Sequence, residues 1–118
     1  MGWDAYADPH GFLPLADADP AFYEGAQRVI DRCGVVDGGF QHGYLDLSPC
    51  GRVLERVAGR SMYSEDPWTK EFIKALDQDE EAWNRVAKDE TIEPHHFMSA
   101  REFVRVCAQL DQGLYFSW

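Results

Sequence analysis

Long apolar runs are missing from this sequence, and so is a basic start followed by an apolar stretch. A membrane-spanning helix needs roughly 18 or more apolar residues in a row, and a secretory signal needs the second pattern. We therefore expect neither feature, and we expect a cytoplasmic protein. Cysteine is also scarce, because Cys33, Cys50 and Cys107 are the only three and form no CxxC pair. An odd number without pairing favours reduced thiols over a disulfide framework.

Basic residues are few: 11 Lys and Arg stand against 21 Asp and Glu, which gives a formal net charge of −10 at pH 7. A field of that sign repels nucleic-acid phosphates and anionic lipids, so direct binding to nucleic acid or membrane is not expected. The same field attracts a basic protein surface, although acidity that only maintains solubility is the alternative. The imbalance is regional: residues 25–60 hold five bases and four acids, whereas residues 61–98 hold four bases and ten acids.

Short catalytic and cofactor motifs are absent as well. The sequence contains no GxGxxG, no phosphate-binding loop, no G-x-S-x-G and no HExxH. His10, His42, Cys50, His95 and His96 offer the side chains that zinc prefers, but their spacing matches no finger or ribbon pattern. We therefore predict no cofactor and no metal.

Apolar material for a core is present. The chain has 118 residues, of which 45% are hydrophobic and 14% aromatic. A chain of this length and composition can bury a core without a metal or disulfides. We expect a single domain over residues 1–118.

Strand patterns lie at both ends of the chain. Residues 3–7 alternate with the period of a half-buried strand, and residues 114–118 form an aromatic-rich strand that needs a partner. We predict that these two strands pair. Residues 12–15 are a candidate edge strand, because Pro14 cannot donate to a neighbouring strand. The glycines among residues 37–47 predict a loop or a loose hairpin.

Capping residues mark the helices of the first half. Asp19–Pro20 begins a helix that Gly34 ends, because Asp accepts at the N-cap, Pro suits the first position and Gly suits the left-handed end. Ser48–Pro49 begins a second, shorter helix that Gly59 ends. Both helices show an apolar face at helical spacing.

The next region predicts two short helices. Asp66 or Thr69 caps the first of them, and the pattern breaks near Asp79. One bent helix is the alternative. Pro94 prevents continuation, so His95–His96 are expected in a loop behind it.

The last helix is predicted from a capping box. Ser99 and Glu102 have the S-x-x-E spacing, and Gly113 is the expected end of the helix. The elements together predict an α+β fold of four to five short helices packed on a small sheet that joins the N-terminal and C-terminal strands.

Cys50 is the strongest candidate for a catalytic residue. It falls in the first turn of the second predicted helix, where free N–H groups and the helix dipole lower a thiol pKa and favour the nucleophilic thiolate. A base is also needed; His42 is the nearest in sequence, and His95 or His96 could approach in the fold. The alternative is a half-buried thiol that only fills space.

Acidic residues between positions 65 and 93 are the candidate binding site. Projecting from a helix, they could imitate a row of phosphates and occupy a basic groove of a partner, or they could form an ordinary solvated face. The residues that we expect to bind are Asp77, Asp79, Glu80, Glu81, Asp89 and Glu90.

Arginines cluster on the two helices of the first half. Arg52, Arg56 and Arg60 fall at steps of four and share one side of the second helix, and Arg28 and Arg32 lie one turn apart on the first. They could receive an anionic ligand or an acidic partner. The alternative is pairing with the chain's own carboxylates.

The opening MGWDAYA, residues 1–7, and the closing GLYFSW, residues 113–118, resemble the ends of small uncharacterised proteins of bacteria and their phages. In size and charge the chain is similar to phage-encoded inhibitors of bacterial defence, such as anti-restriction and anti-CRISPR proteins. The resemblance at the ends implies no activity and assigns no residue a role.

The expected function is that of a non-enzymatic acidic domain that binds a protein with a basic surface, in the manner of a nucleic-acid mimic that blocks a basic groove. A small thiol- or metal-dependent enzyme centred on Cys50 and a histidine is the alternative. A third hypothesis is an accessory subunit that dimerises through exposed aromatics such as Tyr63 and Trp68.

Overall fold

A three-stranded sheet pairs the first described strand with the last, and the described part of the chain adds five α-helices that pack on the sheet and on one another. The computed structural model describes residues 3–12, 19–63 and 66–117. In those ranges the α+β fold expected from the sequence is confirmed, with its sheet between the N-terminal and C-terminal strands. None of the described helices has the length and apolar character needed to cross a membrane. The elements are β1 (Asp4–Asp8), α1 (Pro20–Cys33), β2 (Tyr44–Asp46), α2 (Leu47–Ala58), α3 (Lys70–Gln78), α4 (Glu80–Ala87), α5 (Pro94–Gln109) and β3 (Gly113–Ser117).

The sheet has the order β2-β1-β3, and both pairings are antiparallel. The predicted pairing of the terminal strands is confirmed, and Ala5 and Ala7 of the central strand are fully buried. The loop or loose hairpin predicted for residues 37–47 is partly wrong, because β2 lies within this segment and pairs with β1 outside it. Three residues are too few to show a strand period in sequence, so the pairing comes from the tertiary neighbour. Phe12 lies in a short 3₁₀ turn, and residues 13–15 of the candidate edge strand lie outside the described residues.

The caps of α1 are as predicted, whereas the cap of α2 differs. The Asp19 carboxylate accepts from the backbone N–H of Ala21 at 2.9 Å, and Gly34 ends α1 with φ 81°. α2 begins with Asp46 as its N-cap in place of Ser48, because the Asp46 carboxylate accepts from the Ser48 N–H at 2.9 Å. The sequence expectation for the start of α2 is therefore wrong by two residues.

α3 and α4 are two separate helices, as the break near Asp79 predicts. Thr69 caps α3 by accepting from the Phe72 N–H at 3.2 Å. Asp79 ends α3 and also caps α4, since its carboxylate accepts from the Ala82 N–H at 3.2 Å. One residue thus sets the junction.

α5 begins earlier than expected. Pro94 occupies its first turn, where a missing N–H costs no helical hydrogen bond, and Glu93 is the N-cap. His95–His96 therefore lie in the first turn of α5, and the prediction of a loop is wrong. The capping box is wrong for the same reason, because Ser99 and Glu102 lie inside the helix and are buried.

The turn between α5 and β3 differs from the prediction of a Gly113 end. The helix ends at Gln109, Gly113 belongs to β3, and Asp111 takes the left-handed conformation with φ 61°. Asp tolerates that conformation because its short side chain can bond locally. The Asp111 carboxylate is exposed and pairs with the ammonium groups of Lys70, at 3.4 Å, and Lys74.

α5 also supplies much of the core. The Phe103 ring lies 5.8 Å from the Phe22 ring and 5.2 Å from the Phe40 ring, centroid to centroid. Charged side chains on this helix are enclosed as well. Among them, Glu102 is 1% exposed and accepts from Arg28 at 3.0 Å and from Arg105 at 2.8 Å. Two guanidinium groups thus compensate the buried carboxylate.

Trp68 is buried, which removes it from the dimerisation hypothesis. Its ring packs edge-on against Phe72 and Phe116, with centroids 5.1 and 4.9 Å apart. The Arg60 guanidinium covers the Phe72 ring at 3.9 Å. Only Tyr63 of the two proposed dimerisation residues is exposed.

Candidate functional site

Three segments that are distant in sequence meet at the start of α5. They are the loop after α1, which carries Asp37, the first turn of α2, which carries Cys50, and the first turn of α5, which carries His95–His96. The backbone N–H of Asp37 donates to Oγ of Ser99 at 3.2 Å. Because Ser99 is fully buried in α5, this bond fixes the loop against the helix.

Asp37 and His96 form the centre of this meeting point. Nδ1 of His96 lies 3.2 Å from Oδ1 and 3.1 Å from Oδ2 of Asp37. Both side chains are largely enclosed, with 25% of His96 and 12% of Asp37 exposed. The His95 ring contacts the His96 ring with centroids 4.0 Å apart, and it makes no hydrogen bond with the described residues.

The thiol of Cys50 lies behind this pair and has no exposed surface. Sγ donates to Oδ2 of Asp37 at 3.5 Å and lies 3.6 Å from the carbonyl oxygen of His96. Burial, and after it the negative charge of Asp37, raises the pKa of Cys50 far above its ordinary value. The thiol is therefore protonated at neutral pH.

The lowered thiol pKa predicted for Cys50 is wrong, although its place in the first turn of α2 is confirmed. The helix dipole lowers a thiol pKa only where the thiolate is also solvated or paired with a cation. Here the thiol is desolvated and its nearest charged neighbour is a carboxylate, and both effects oppose ionisation. The geometry fits the alternative interpretation, a buried thiol.

His42 and His10 lie outside this cluster. The His42 ring packs edge-on against Tyr23, and its Nδ1 is buried without a hydrogen-bond partner in the described ranges. Nε2 of His10 accepts from the backbone N–H of Asp19 at 3.1 Å. No contact between described residues joins His42 to Cys50, so the predicted base is not beside the predicted nucleophile.

Asp37, His95 and His96 each place one ligand-type atom within 4.8 Å of the other two. Two imidazole nitrogens and a carboxylate oxygen are a donor set that suits zinc and its neighbours in the first transition row. No other such group of three occurs over residues 3–12, 19–63 and 66–117. Sequence spacing gave no sign of it, because Asp37 comes from a different part of the chain.

Two of the six acidic residues predicted to bind a partner converge on one arginine. Nη1 of Arg101 donates to Asp77 at 2.7 Å, and Nη2 donates to Glu80 at 2.9 Å. The Arg101 side chain is 8% exposed and lies over the Trp83 ring. These two carboxylates therefore hold α3, α4 and α5 together.

A third predicted residue, Asp89, is also paired within the chain. Its carboxylate contacts the guanidinium of Arg56, lies 3.9 Å from Arg52 and accepts from the Thr91 N–H at 2.9 Å. Intramolecular pairing, the alternative considered for the arginines, is thus found for Arg52 and Arg56. It is found for Arg28 as well, which pairs with Glu102.

The remaining three acidic residues are exposed. Asp79 caps α4, Glu90 lies in the following turn, and Glu81 lines a shallow depression that it shares with Arg85 and Lys88. Positive side chains therefore stand beside part of this acidic surface.

A second acidic surface, which the sequence did not indicate, lies on the outer side of the sheet. Tyr44, Tyr6 and Tyr115 stand opposite one another across β2, β1 and β3. The rings of Tyr6 and Tyr44 have centroids 5.4 Å apart, and Tyr115 is 52% exposed.

Two aspartates form the next row of this outer side. Asp4 and Asp46 are direct partners across β1 and β2, and Ser117 of β3 follows them. Burial, and after it the charge of Asp46, raises the pKa of Asp4. The sequence could not reveal this row of aspartates, because it depends on the pairing of the three-residue strand β2 with β1.

Comparison with known proteins adds no relative in which these sites could be matched. No family model, no curated protein and no solved structure matches the chain.

Proposed function

We propose that this protein is a non-enzymatic domain that binds a basic surface of another protein. The contact surface is the outer side of the sheet, here called the sheet face, which consists of Asp4, Tyr6, Tyr44, Asp46 and Tyr115. The observation that supports it best is the direct opposition of Asp4 and Asp46 beside the tyrosine row.

Like charges placed directly opposite each other on neighbouring strands destabilise a sheet. Asp46 has a structural reason for its position, since it caps α2. Asp4 has none, because its carboxylate makes no ion pair or hydrogen bond with the described residues. A cation from a partner would relieve the repulsion, so Asp4 is suited to contact one.

The tyrosines specify the kind of cation. An aromatic face attracts an ammonium or guanidinium group, and a guanidinium can in addition stack on the ring and bond a carboxylate with two N–H groups. A surface that combines three tyrosines and two carboxylates is thus best suited to arginine. Tyrosine is also enriched at protein interfaces, because it buries a large area with few rotatable bonds.

We further propose that the partner is a nucleic-acid-binding protein whose basic groove this domain blocks. The net charge of −10 would steer such a partner toward the domain and would keep nucleic acid away. Glu81 of α4 and Glu90 after it are further exposed carboxylates that contribute to this field. Thiol catalysis at Cys50 has no comparable support, because its thiol is buried and protonated.

The sheet face can be tested with an oligo-arginine peptide as the probe. Backbone amide shifts in NMR should change most in β1, β2 and β3, and affinity should fall as salt is added. Asp4→Asn should weaken binding by about two- to fivefold, as expected for one surface ion pair. Glu24→Gln is the matched control, since it removes the same charge from an exposed position of α1.

Two results would contradict the sheet face. Equal weakening by Asp4→Asn and Glu24→Gln would mean that only net charge matters. Amide chemical-shift changes confined to Glu81 and Glu90 would instead indicate that the peptide binds at α4 and the turn after it. The groove hypothesis is tested by capture of a partner from a host lysate. The wild type should capture more of this partner than Asp4→Asn does, and double-stranded DNA should displace it. Capture that DNA does not affect would contradict the groove hypothesis.

A further inference from the structure

The cluster of Asp37, His95 and His96 has the composition of a metal site. We propose that these three side chains bind a divalent transition-metal ion of the zinc type and leave one coordination position for water or an external ligand. The proposal involves no residue of the sheet face, so either can fail without the other.

The spacing of the donor atoms requires little movement. Bonds of about 2.0–2.1 Å in a tetrahedral site place donor atoms about 3.3 Å apart. Nδ1 of His96 and Oδ2 of Asp37 already lie 3.1 Å apart, and the donor atom of His95 lies within 4.8 Å of both. Rotation of the His95 side chain, which no hydrogen bond to the described residues restrains, would close the remaining gap.

The chemistry of the donors selects the ion. Calcium and magnesium take oxygen ligands, whereas imidazole nitrogen suits zinc, cobalt, nickel, copper and iron. Two imidazoles and one carboxylate therefore favour the second group. Three protein ligands leave an open position on zinc, which is the arrangement of sites that bind a further molecule and not of closed structural sites.

The carboxylate is held in place before any metal arrives. The bond from the Asp37 N–H to Ser99 anchors its backbone, and the Cys50 thiol donates to Oδ2. Ligating carboxylates are commonly oriented by such outer partners, which keep the unligated lone pairs bonded. Cys50 thus acts as a positioning residue, because its buried thiol donates to the carboxylate of the ligand.

The electrostatic setting has two opposing parts. The first turn of α5 carries the positive end of a helix dipole, which disfavours a cation. The negative charge of Asp37 opposes that effect at close range, and the net charge of −10 opposes it at long range. Because Asp37 is the one carboxylate of the triad, its charge is the critical feature of the site.

Titration with Zn²⁺ by calorimetry, and with Co²⁺ by visible absorption, tests the proposal. The wild type should bind one ion, and Co²⁺ should show the intense d–d bands of a site with nitrogen ligands and low coordination number. His95→Ala should lower affinity at least about tenfold. Its stability without metal should remain near that of the wild type, because the His95 ring makes no hydrogen bond with the described residues.

Two further variants complete the test. Asp37→Asn keeps the shape and an acceptor for Cys50 but removes the charge, so Zn²⁺ affinity should again fall at least about tenfold. His42→Ala removes a histidine outside the cluster and should leave Zn²⁺ affinity unchanged. The proposal is overturned if the wild type binds no ion, or if His95→Ala and His42→Ala bind Zn²⁺ equally well.

Discussion

Arg101 of α5 reaches Asp77 of α3 with a 2.7 Å bond between Nη1 and Oδ1, and it does so from a position where its side chain is 8% exposed. Glu80 of α4 is its second carboxylate partner, at 2.9 Å, but that side chain is 69% exposed. The two acids therefore contribute differently to stability, although they contact the same guanidinium group.

Asp77→Asn should lower the free energy of unfolding by about 1–3 kcal/mol, because it removes a charged acceptor from a buried guanidinium. Glu80→Gln should lower it by less than about 1 kcal/mol, because water already competes for that carboxylate. Urea denaturation of both variants and the wild type measures the difference. Equal losses in the free energy of unfolding would show that the two ion pairs of Arg101 contribute equally to stability.

Cys50 should be unreactive in the folded protein. Its pKa is raised by burial and by Asp37, so the thiolate that attacks disulfide reagents or iodoacetamide is scarce at neutral pH. Cys33 is only partly buried and should be modified first, whereas Cys50 should react only when urea unfolds the chain. Mass spectrometry of peptides after timed alkylation measures this order. Rapid labelling of Cys50 in the native state would contradict the raised pKa.

Asp4→Asn and Asp111→Asn should change the pH dependence of stability in opposite directions. Folding raises the pKa of Asp4, so the ionised carboxylate destabilises the folded state at neutral pH. This destabilisation disappears as pH falls and the carboxylate is protonated. Asp4→Asn should therefore gain stability relative to the wild type at pH 7 and lose that gain below about pH 4. The hydrogen bonds and charges of Lys74 and Lys70 lower the pKa of Asp111, so Asp111→Asn should lose stability at pH 7 and converge with the wild type as pH falls through that pKa.

Thermal unfolding of the two variants across the acid range checks the signs. Asn suits both sites as a control for shape, and at Asp111 it also tolerates the left-handed backbone. The informative quantity is the difference from the wild type at each pH, since it cancels the other groups that titrate. If both variants differed from the wild type in stability with the same sign at pH 7, the environments described for these two carboxyl groups would be contradicted.

Gly39→Ala should displace the Tyr44 ring. A Cβ at position 39 would lie 2.0 Å from Cζ of Tyr44, although φ is −92° and so permits alanine. The expected loss is about 1–3 kcal/mol, typical of overpacking. In a Tyr44→Ala background the same change should cost much less, because the contact is gone. Additive losses in the double variant would contradict the steric cause.

The local features of this fold were predictable, because they depend on neighbours in sequence. Asp19 and Thr69 cap their helices with side chains that reach two or three residues onward, and Asp79 marks the helix break for the same reason. Pro94 shows the limit of such rules. The same residue can stop one helix or start the next, and only the packing of α5 decides between them.

The candidate sites were not predictable, because each depends on contacts between distant segments. The partner of His95 and His96 is Asp37, which no spacing rule connects to them. Predicting the sheet face required knowledge of β2, and the three residues of that strand pair only because β1 is beside them. The helix-dipole argument for Cys50 failed likewise, since burial and a carboxylate from another segment outweigh the dipole.

The position of β1 has a consequence for how the chain reaches its folded state. β1 is the central strand, and one of its two partners is β3, the last described strand. During synthesis the central strand must therefore wait, with one edge unpaired, until residues 113–117 have left the ribosome. Pairings of such long sequence separation slow folding, and an exposed edge invites association with other chains. The three-stranded sheet is therefore complete only after β3 has paired with β1 along its length.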